Sequence, residues 1–260
     1  MNNDCGKLKP LSHRLYSVWY RFMRVYTKNL FSNGFEPFFE PLIFLGGIGL
    51  GLGGFIKEID GLPYIQFLGS ALLVSTAMMT SAFECSYGTF IRLEFDKAYD
   101  GIISAPISVN DLLLGEMLWA GTKGFFFSFA VLSILFILGV FRTPTVFFVP
   151  IIGFLTGFMF AGISLFVTSF VKSIDHFSFY MTGFLSPMFF FSGTVFPLSQ
   201  LPAFVRPVAE LLPLTHSVRL SRAILFGRWE YFTFDLSYVI IVSVVFTVCG
   251  ILGIKKRLID

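Results

Sequence analysis

The chain has 260 residues, of which 55% are apolar, 18% aromatic and 13% charged, whereas a soluble domain averages about 25% charged. A soluble core of this size has no room for so much apolar surface, so lipid is the natural solvent. The net charge of +3 is too small and too scattered for a nucleic-acid surface, and reads instead as orientation bias in a membrane protein.

In chain order, residues 1–36 hold no apolar h-region with a cleavage site, so the first span is expected to act as its own insertion signal. Within them, residues 14–30 separate into two faces at helical spacing. Leu15, Trp19, Phe22, Met23, Tyr26 and Leu30 form one, and Arg14, Arg21, Arg24 and Lys28 the other. This predicts an amphipathic helix in the cytoplasmic interface with its basic face toward anionic headgroups; the alternative is a basic helix packed on a partner protein. Residues 1–36 are thus a cytoplasmic N-terminal segment and residues 37–260 a transmembrane domain.

A bilayer core about 30 Å thick needs about 20 apolar helical residues. Six runs qualify: Phe38–Ile56 (interrupted by Glu40), Gly61–Phe83 with a continuation through Glu84 to Ile91, Met117–Phe141, Thr143–Val171, Phe177–Val205 ending near Phe196, and Leu236–Ile254. The runs are continuous, where barrel strands would alternate. The predicted fold is an all-α membrane protein with six transmembrane helices. Placing both termini in the cytoplasm puts most Lys and Arg inside, including Arg92, Lys97, Lys172 and Lys255–Arg257. The segment between spans five and six is a local exception, carrying Arg206, Arg219, Arg222 and Arg228 outside.

That segment is itself unusual. Pro197 and Pro202 break the helix, then Ala203–Leu212 and Leu214–Phe226 read as short amphipathic helices separated at Pro213, with Gly227 as the stop. It is too polar to span and too apolar to float free, and is expected to be a re-entrant extracellular hairpin.

Few motifs point to chemistry. Gly49, Gly51 and Gly54 satisfy G-x-G-x-x-G, but no strand precedes them and they lie in a span. Gly47/Gly51 and Gly49/Gly53 have GxxxG spacing, and Gly153, Gly157 and Ala161 give span four a small-residue face, both fitting close helix packing. Cys5, Cys85 and Cys249 lie far apart, and neither a CxxC nor a phosphate loop is present. His13, His176 and His216 lie in separate regions. Glu84 and Lys123 are the intramembrane charges, and snorkelling or a mutual salt bridge accounts for them more simply than a transport role. The connection Arg92–Glu116 mixes charges with Leu93, Phe95, Tyr99, Ile102 and Ile103 before a stop at Pro106, as a short amphipathic helix docking into a cleft on another protein would.

The stretch SAFECSYGTFIRLEFDKAYDGIISAPISVNDLLLGEMLWAGTKG (Ser81–Gly124) resembles type-2 ATP-binding-cassette exporter permeases, above all the branch of nodulation-factor (lipo-chitooligosaccharide) exporter permeases. FFFSGTVFPLSQLPAFVRPVAELLPLTHSVRLSRAILFGR (Phe189–Arg228) is similar to the same family's region between spans five and six. The chain departs from the branch at Phe67, which Leu68-Gly69-Ser70 follows in place of Pro-Gly. The resemblance implies a non-catalytic permease subunit in the bacterial inner membrane, two copies of it joined to two copies of a separate ATPase that binds ATP and Mg. This chain would bind no cofactor. Arg92, Glu94, Phe95, Asp96, Lys97, Tyr99, Asp100 and Pro106 would form the coupling loop to the ATPase. Pro197, Pro202, Arg206, Glu210, Pro213, His216, Arg219 and Arg222 would form the extracellular gate region. The resemblance implies outward movement of a glycolipid, lipo-oligosaccharide, polysaccharide or other amphipathic cargo, since the family also exports polysaccharides, teichoic acids and drugs. Two other readings compete with it. An intramembrane enzyme acting on lipid-linked substrates would use Glu210, His216, Arg219, Arg222, Glu230 and Asp235, and an ATP-independent channel or scaffold subunit would need a pore motif that is missing.

Overall fold

The computed structural model describes residues 10–28, 39, 42–56, 58–97, 99, 101 and 107–259. Glu40, Asp100 and Pro106 lie outside the described residues, as do the first nine residues and Leu30. The described chain is almost wholly helical. Four helices are long and apolar enough to cross a membrane: α3 (Tyr64–Phe95), α4 (Val109–Ile137), α5 (Pro144–Phe170) and α9 (Phe232–Ile259). They match the second, third, fourth and sixth predicted spans. The first and fifth predicted spans are represented by shorter helical runs, α2 (42–53) and α6 (177–191). Helix α1 is Leu11–Lys28, and the 197–227 segment holds α7 (Arg206–Glu210) and α8 (Pro213–Phe226). A two-residue antiparallel pair, β1 (Glu58–Ile59) and β2 (Leu62–Pro63), closes the turn before α3.

Helix α5 is central, packed on α3, α4 and α9. Small residues make those approaches possible. A Cβ on Gly124 of α4 would stand 2.8 Å from the Gly153 carbonyl of α5, and one on Gly250 of α9 would stand 3.1 Å from the Gly162 carbonyl of α5. Hydroxyls then cross between helices: Ser81 donates to the Ala120 carbonyl at 2.9 Å and Thr168 to the Cys85 carbonyl at 3.0 Å. The expected small-residue face of span four is this contact. In contrast, among the described residues a Cβ on Gly47 or Gly51 of α2 would meet nothing within 4 Å.

Three boundaries differ from the expectation for local physical reasons. Helix α3 runs through Phe95 with π-helical turns at Glu84–Gly88 and Ile91–Phe95. Arg92–Phe95 are therefore its last turn rather than the start of a separate loop helix, and the chain turns at Lys97, which takes a left-handed φ of 47°. Helix α4 starts two turns before Met117, because Ser108 and Asp111 form a reciprocal capping box: the Asp111 amide donates to Ser108 Oγ at 3.2 Å, and the Ser108 amide to Asp111 Oδ2 at 3.0 Å. Pro213 opens α8 instead of separating two helices, since its missing N–H falls where a first helical turn has no acceptor to serve. Gly227 ends α8 at φ 71°, as expected.

Helix α1 is amphipathic as read, but its apolar side lies on α4. Val18 and Phe22 are buried there, while Tyr16, Tyr20, Arg21, Arg24 and Lys28 are exposed. A Cβ on Gly115 of α4 would stand 2.6 Å from Val18 Cγ1, so the two backbones pass closely.

Candidate functional site

One end of the bundle gathers the end of α3 with Asp96, Lys97 and Tyr99, the start of α4, the last turn of α9 and helix α1. Beside Tyr99 lies a set of paired charges. Glu116 of α4 is fully buried. It accepts hydrogen bonds from Thr89 Oγ1 at 2.6 Å, from Arg92 Nη2 and from the Tyr99 hydroxyl. Arg92 also reaches Glu84 Oε1 at 2.8 Å, and Lys123 Nζ meets Glu84 Oε2 at 3.0 Å. Two cations and two carboxylates thus neutralise one another across α3 and α4, and the intramembrane pair flagged in sequence is a salt bridge. Breaking a buried pair by removing one partner leaves an uncompensated charge, which costs far more than the pair gains.

Helix α1 covers this set. The Phe22 ring lies 4.9 Å from the Arg92 guanidinium and the Tyr26 ring 5.0 Å from Lys123 Nζ. Both are cation–π contacts in a desolvated place. Arg14 Nη1 pairs with Asp111 Oδ2 at 2.5 Å and Trp19 Nε1 donates to Thr122 Oγ1 at 3.0 Å, so α1 is pinned to α4 at two levels.

The connection itself divides into inward and outward residues. Tyr99 is fully buried, and burial together with the neighbouring Glu116 charge pushes its hydroxyl well above the usual tyrosine range. It remains a neutral donor to Glu116. Glu94 pairs with Arg257 Nη2 of α9 at 2.8 Å, and Arg257 Nη1 caps the end of α5 by donating to the Thr168 and Val171 carbonyls, both at 2.6 Å. Phe95, by contrast, is 66% exposed, with Asp96 and Lys97 exposed beside it. Leu93, Phe95 and Tyr99 therefore do not share one apolar face. Sequence reasoning missed Glu116, Asp111 and Arg257. The Ser108–Asp111 capping spacing was the available signal for the first two; nothing local marks Arg257.

The opposite end holds the 197–227 residues. His216 lies between Asp235 Oδ1, 2.7 Å from Nδ1, and the Glu210 carbonyl, 2.9 Å from Nε2, with the Tyr238 ring stacked at 3.7 Å. Arg219 bridges Glu210 at 2.7 Å and Asp235 at 2.9 Å. Arg206 donates to the Leu201 carbonyl at 2.9 Å and to the Ser199 carbonyl at 2.5 Å, folding the Pro197–Pro202 turn onto α7. Ser221 donates to the Ser70 carbonyl at 2.7 Å, tying α8 to α3. Arg222 stands apart from the Glu210–Arg219 group, packed against the Phe67 ring. Of the polar residues weighed for an enzyme, Glu210, His216, Arg219 and Asp235 are thus engaged in tying α7, α8 and α9 together, while Arg222 is held to α3 and Glu230 is exposed. Among the described residues no group of three side chains has the makings of a metal site.

Residues 13–226 match the model of the family described as ABC-2 type transporter. The chain belongs to that family. Its relatives include nodulation protein J of Sinorhizobium fredii (strain NBRC 101917 / NGR234), 35% identical over 213 residues, which are 82% of this chain and 81% of the relative. Nodulation protein J of Rhizobium meliloti (strain 1021) is 34% identical, over 81% of this chain and 80% of its own. The inner membrane transport permease YadH of Escherichia coli (strain K12) is more distant, 24% identical over 78% of this chain and 79% of its own. In this ABC-2 permease the buried charges of α3 and α4 converge on Tyr99 and the end of α3, directly behind the exposed Phe95–Lys97 tip.

Proposed function

We propose that this chain is the non-catalytic permease subunit of an exporter driven by ATP hydrolysed on a separate subunit. The observation that carries this reading is the Glu116 network. It fastens Arg92 and Tyr99, on either side of the exposed Phe95–Lys97 tip, to α3 and α4, and α1 lies over it, so a push on that tip moves three helices together. A force applied there is useful only if something outside the chain supplies it. The family pairs with an ABC ATPase, and this sequence carries no phosphate loop of its own.

In this reading two copies of the chain join two ATPase subunits, which hold the ATP and Mg. Each copy has six spans, α2 and α6 belonging to the first and fifth, and both termini face the cytoplasm of a bacterial inner membrane. Helix α1 lies at the cytoplasmic interface with Arg21, Arg24 and Lys28 toward anionic headgroups. The 197–227 segment is the re-entrant outer gate. The Gly47/Gly51 face of α2 supports contact with a second copy, since close-packing glycines with nothing against them among the described residues suit a partner helix. Cargo of the lipo-oligosaccharide or glycolipid type follows the nodulation protein relatives. ATP acts on this chain only by favouring one arrangement of the connection over another.

The test is co-purification with an ABC ATPase subunit co-expressed from the same genome, with Phe95→Ala and Asp96→Lys as variants. Both residues are exposed, so the variants keep the fold and lose ATPase association. Full association and unchanged ATP hydrolysis in both would remove the coupling assignment. ATP-independent cargo flux through the purified chain would favour a channel.

A further inference from the structure

Arg222 is a half-buried cation with no ion-pair carboxylate among the described residues. It donates from Nε to Ser70 Oγ at 3.1 Å and from Nη2 to the carbonyls of Phe67 at 3.2 Å and Gly193 at 2.7 Å, and lies 3.8 Å from the Phe67 ring centre. Every one of these acceptors is neutral. Nη1 has no hydrogen-bond partner among the described residues. A cation held only by neutral acceptors keeps its capacity for a charge-assisted bond to an anion, and this one lines a cavity of about 330 Å³, within the range of about 300–1,000 Å³ typical of small-ligand pockets.

The other charges around the cavity narrow the ligand. Arg219 and Asp235 satisfy each other at 2.9 Å, and Asp235 also meets His216. That leaves Arg222 inside, with Arg228, Asp60 and Glu230 exposed at the rim. Among the described residues Arg228 Nη2 reaches only the Asp60 carbonyl, at 2.5 Å. The carboxylates of Asp60 and Glu230 make no ion pair among the described residues. A plain anion would satisfy the arginines but face two carboxylates. A plain amine would do the reverse. A group that carries a phosphate and, a few bonds away, an ammonium satisfies both.

We propose that this cavity binds a phosphoethanolamine group, its phosphate oxygens on Arg222 and Arg228 and its ammonium on Asp60 and Glu230. Arginine suits the phosphate because its planar fork offers paired donors. Two sources carry the group: the headgroup of phosphatidylethanolamine and a soluble phosphoethanolamine ester. The lipid source rests on the reading of this end as the outer face, beside the outer leaflet; the binding chemistry does not.

The full chain, purified in detergent so that both ends are open, is titrated calorimetrically with glycerophosphoethanolamine and, separately, with inorganic phosphate. The expected result is saturable binding of the first, with phosphate weaker by about tenfold or more, the size of one charge-assisted hydrogen bond. The paired rim variant Asp60→Asn/Glu230→Gln, both exposed, removes that preference. Arg222→Lys keeps the charge but loses the fork, and weakens both ligands by about tenfold. No saturable binding to the wild type, equal affinity for phosphate, or a preference that survives in the rim variant overturns the proposal. Nanodiscs then assign the source. A higher melting temperature in phosphatidylethanolamine than in phosphatidylglycerol, absent in the rim variant, identifies the lipid headgroup; equal melting beside intact binding identifies the soluble ester. No ATPase enters these measurements, so a failed export reading leaves their outcome unchanged.

Discussion

Arg92 and Glu116, 24 residues apart in sequence, meet as an ion pair whose carboxylate is wholly buried and whose guanidinium also holds Glu84. The pair joins the last turns of α3 to the first turns of α4, across the connection that resembles an ATPase-docking loop. Glu116→Ala would leave Arg92 and Tyr99 without their shared acceptor. We expect a loss of about 3–5 kcal/mol, the usual cost of stranding a buried charge. Glu116→Gln keeps an acceptor for Tyr99 and costs less. Thermal unfolding in detergent measures both, and an unchanged midpoint for Glu116→Ala would show that the network contributes nothing to stability.

Glu84 and Lys123 form the outer half of the same network, 3.0 Å apart. Because Glu84 is shared with Arg92, its loss affects two cations, whereas loss of Lys123 leaves Glu84 still paired. Glu84→Gln is therefore expected to destabilise more than Lys123→Met. A double-mutant cycle should show a coupling of about 0.5–3 kcal/mol, as for other contacting pairs. Additive effects would mean that the two residues act independently.

Hydropathy makes one part of this architecture legible in the sequence and hides another. The long apolar runs locate α3, α4, α5 and α9, and the lone charges Glu84 and Lys123 stand out because each sits in such a run. Glu116 does not stand out, because the apolar run begins at Met117 and leaves it in the loop. In the folded chain α4 begins at Val109, and its first turns are covered by α1 rather than by water. A polar turn buried by the protein's own N-terminal helix looks in sequence like a turn in solvent. Tyr99 and Phe95 likewise read as one apolar face, although Phe95 points out and Tyr99 in. The ties at the other end, His216 to Asp235 and Arg222 to Phe67, bring together residues 19 and 155 apart, which no local spacing encodes.

Gly115 and Val18 make a test of α1 as a fixed part of the protein. An alanine Cβ at Gly115 would fall 2.6 Å from Val18 Cγ1, too close for both backbones to stay in place. Gly115→Ala is expected to loosen α1, exposing Arg21 and Arg24 to faster trypsin cleavage and shifting Trp19 fluorescence. Adding Val18→Ala frees the space and should restore wild-type behaviour. Equal proteolysis of all three proteins would place the restraint elsewhere, for instance in the Arg14–Asp111 pair.

The glycines of α2 make the opposite prediction to those of α5. A Cβ on Gly153 would stand 2.5 Å from Ser128 Cβ, so bulk there strikes the protomer's own core. On Gly47 or Gly51 it would meet nothing within 4 Å among the described residues. Gly47→Ile/Gly51→Ile should therefore leave the monomer's melting temperature unchanged or slightly raised, since glycine costs about 1 kcal/mol against ordinary residues inside a helix. If the same face packs on a second copy, the variant should elute as a monomer where the wild type elutes as a dimer, by light scattering in detergent. Gly153→Ile is the control and should unfold at a lower temperature whatever its oligomeric state. A Gly47→Ile/Gly51→Ile protein that remains dimeric would move the contact between copies away from α2, and the exposed Phe179, Phe184 and Phe190 of α6 would be the next surface to alter.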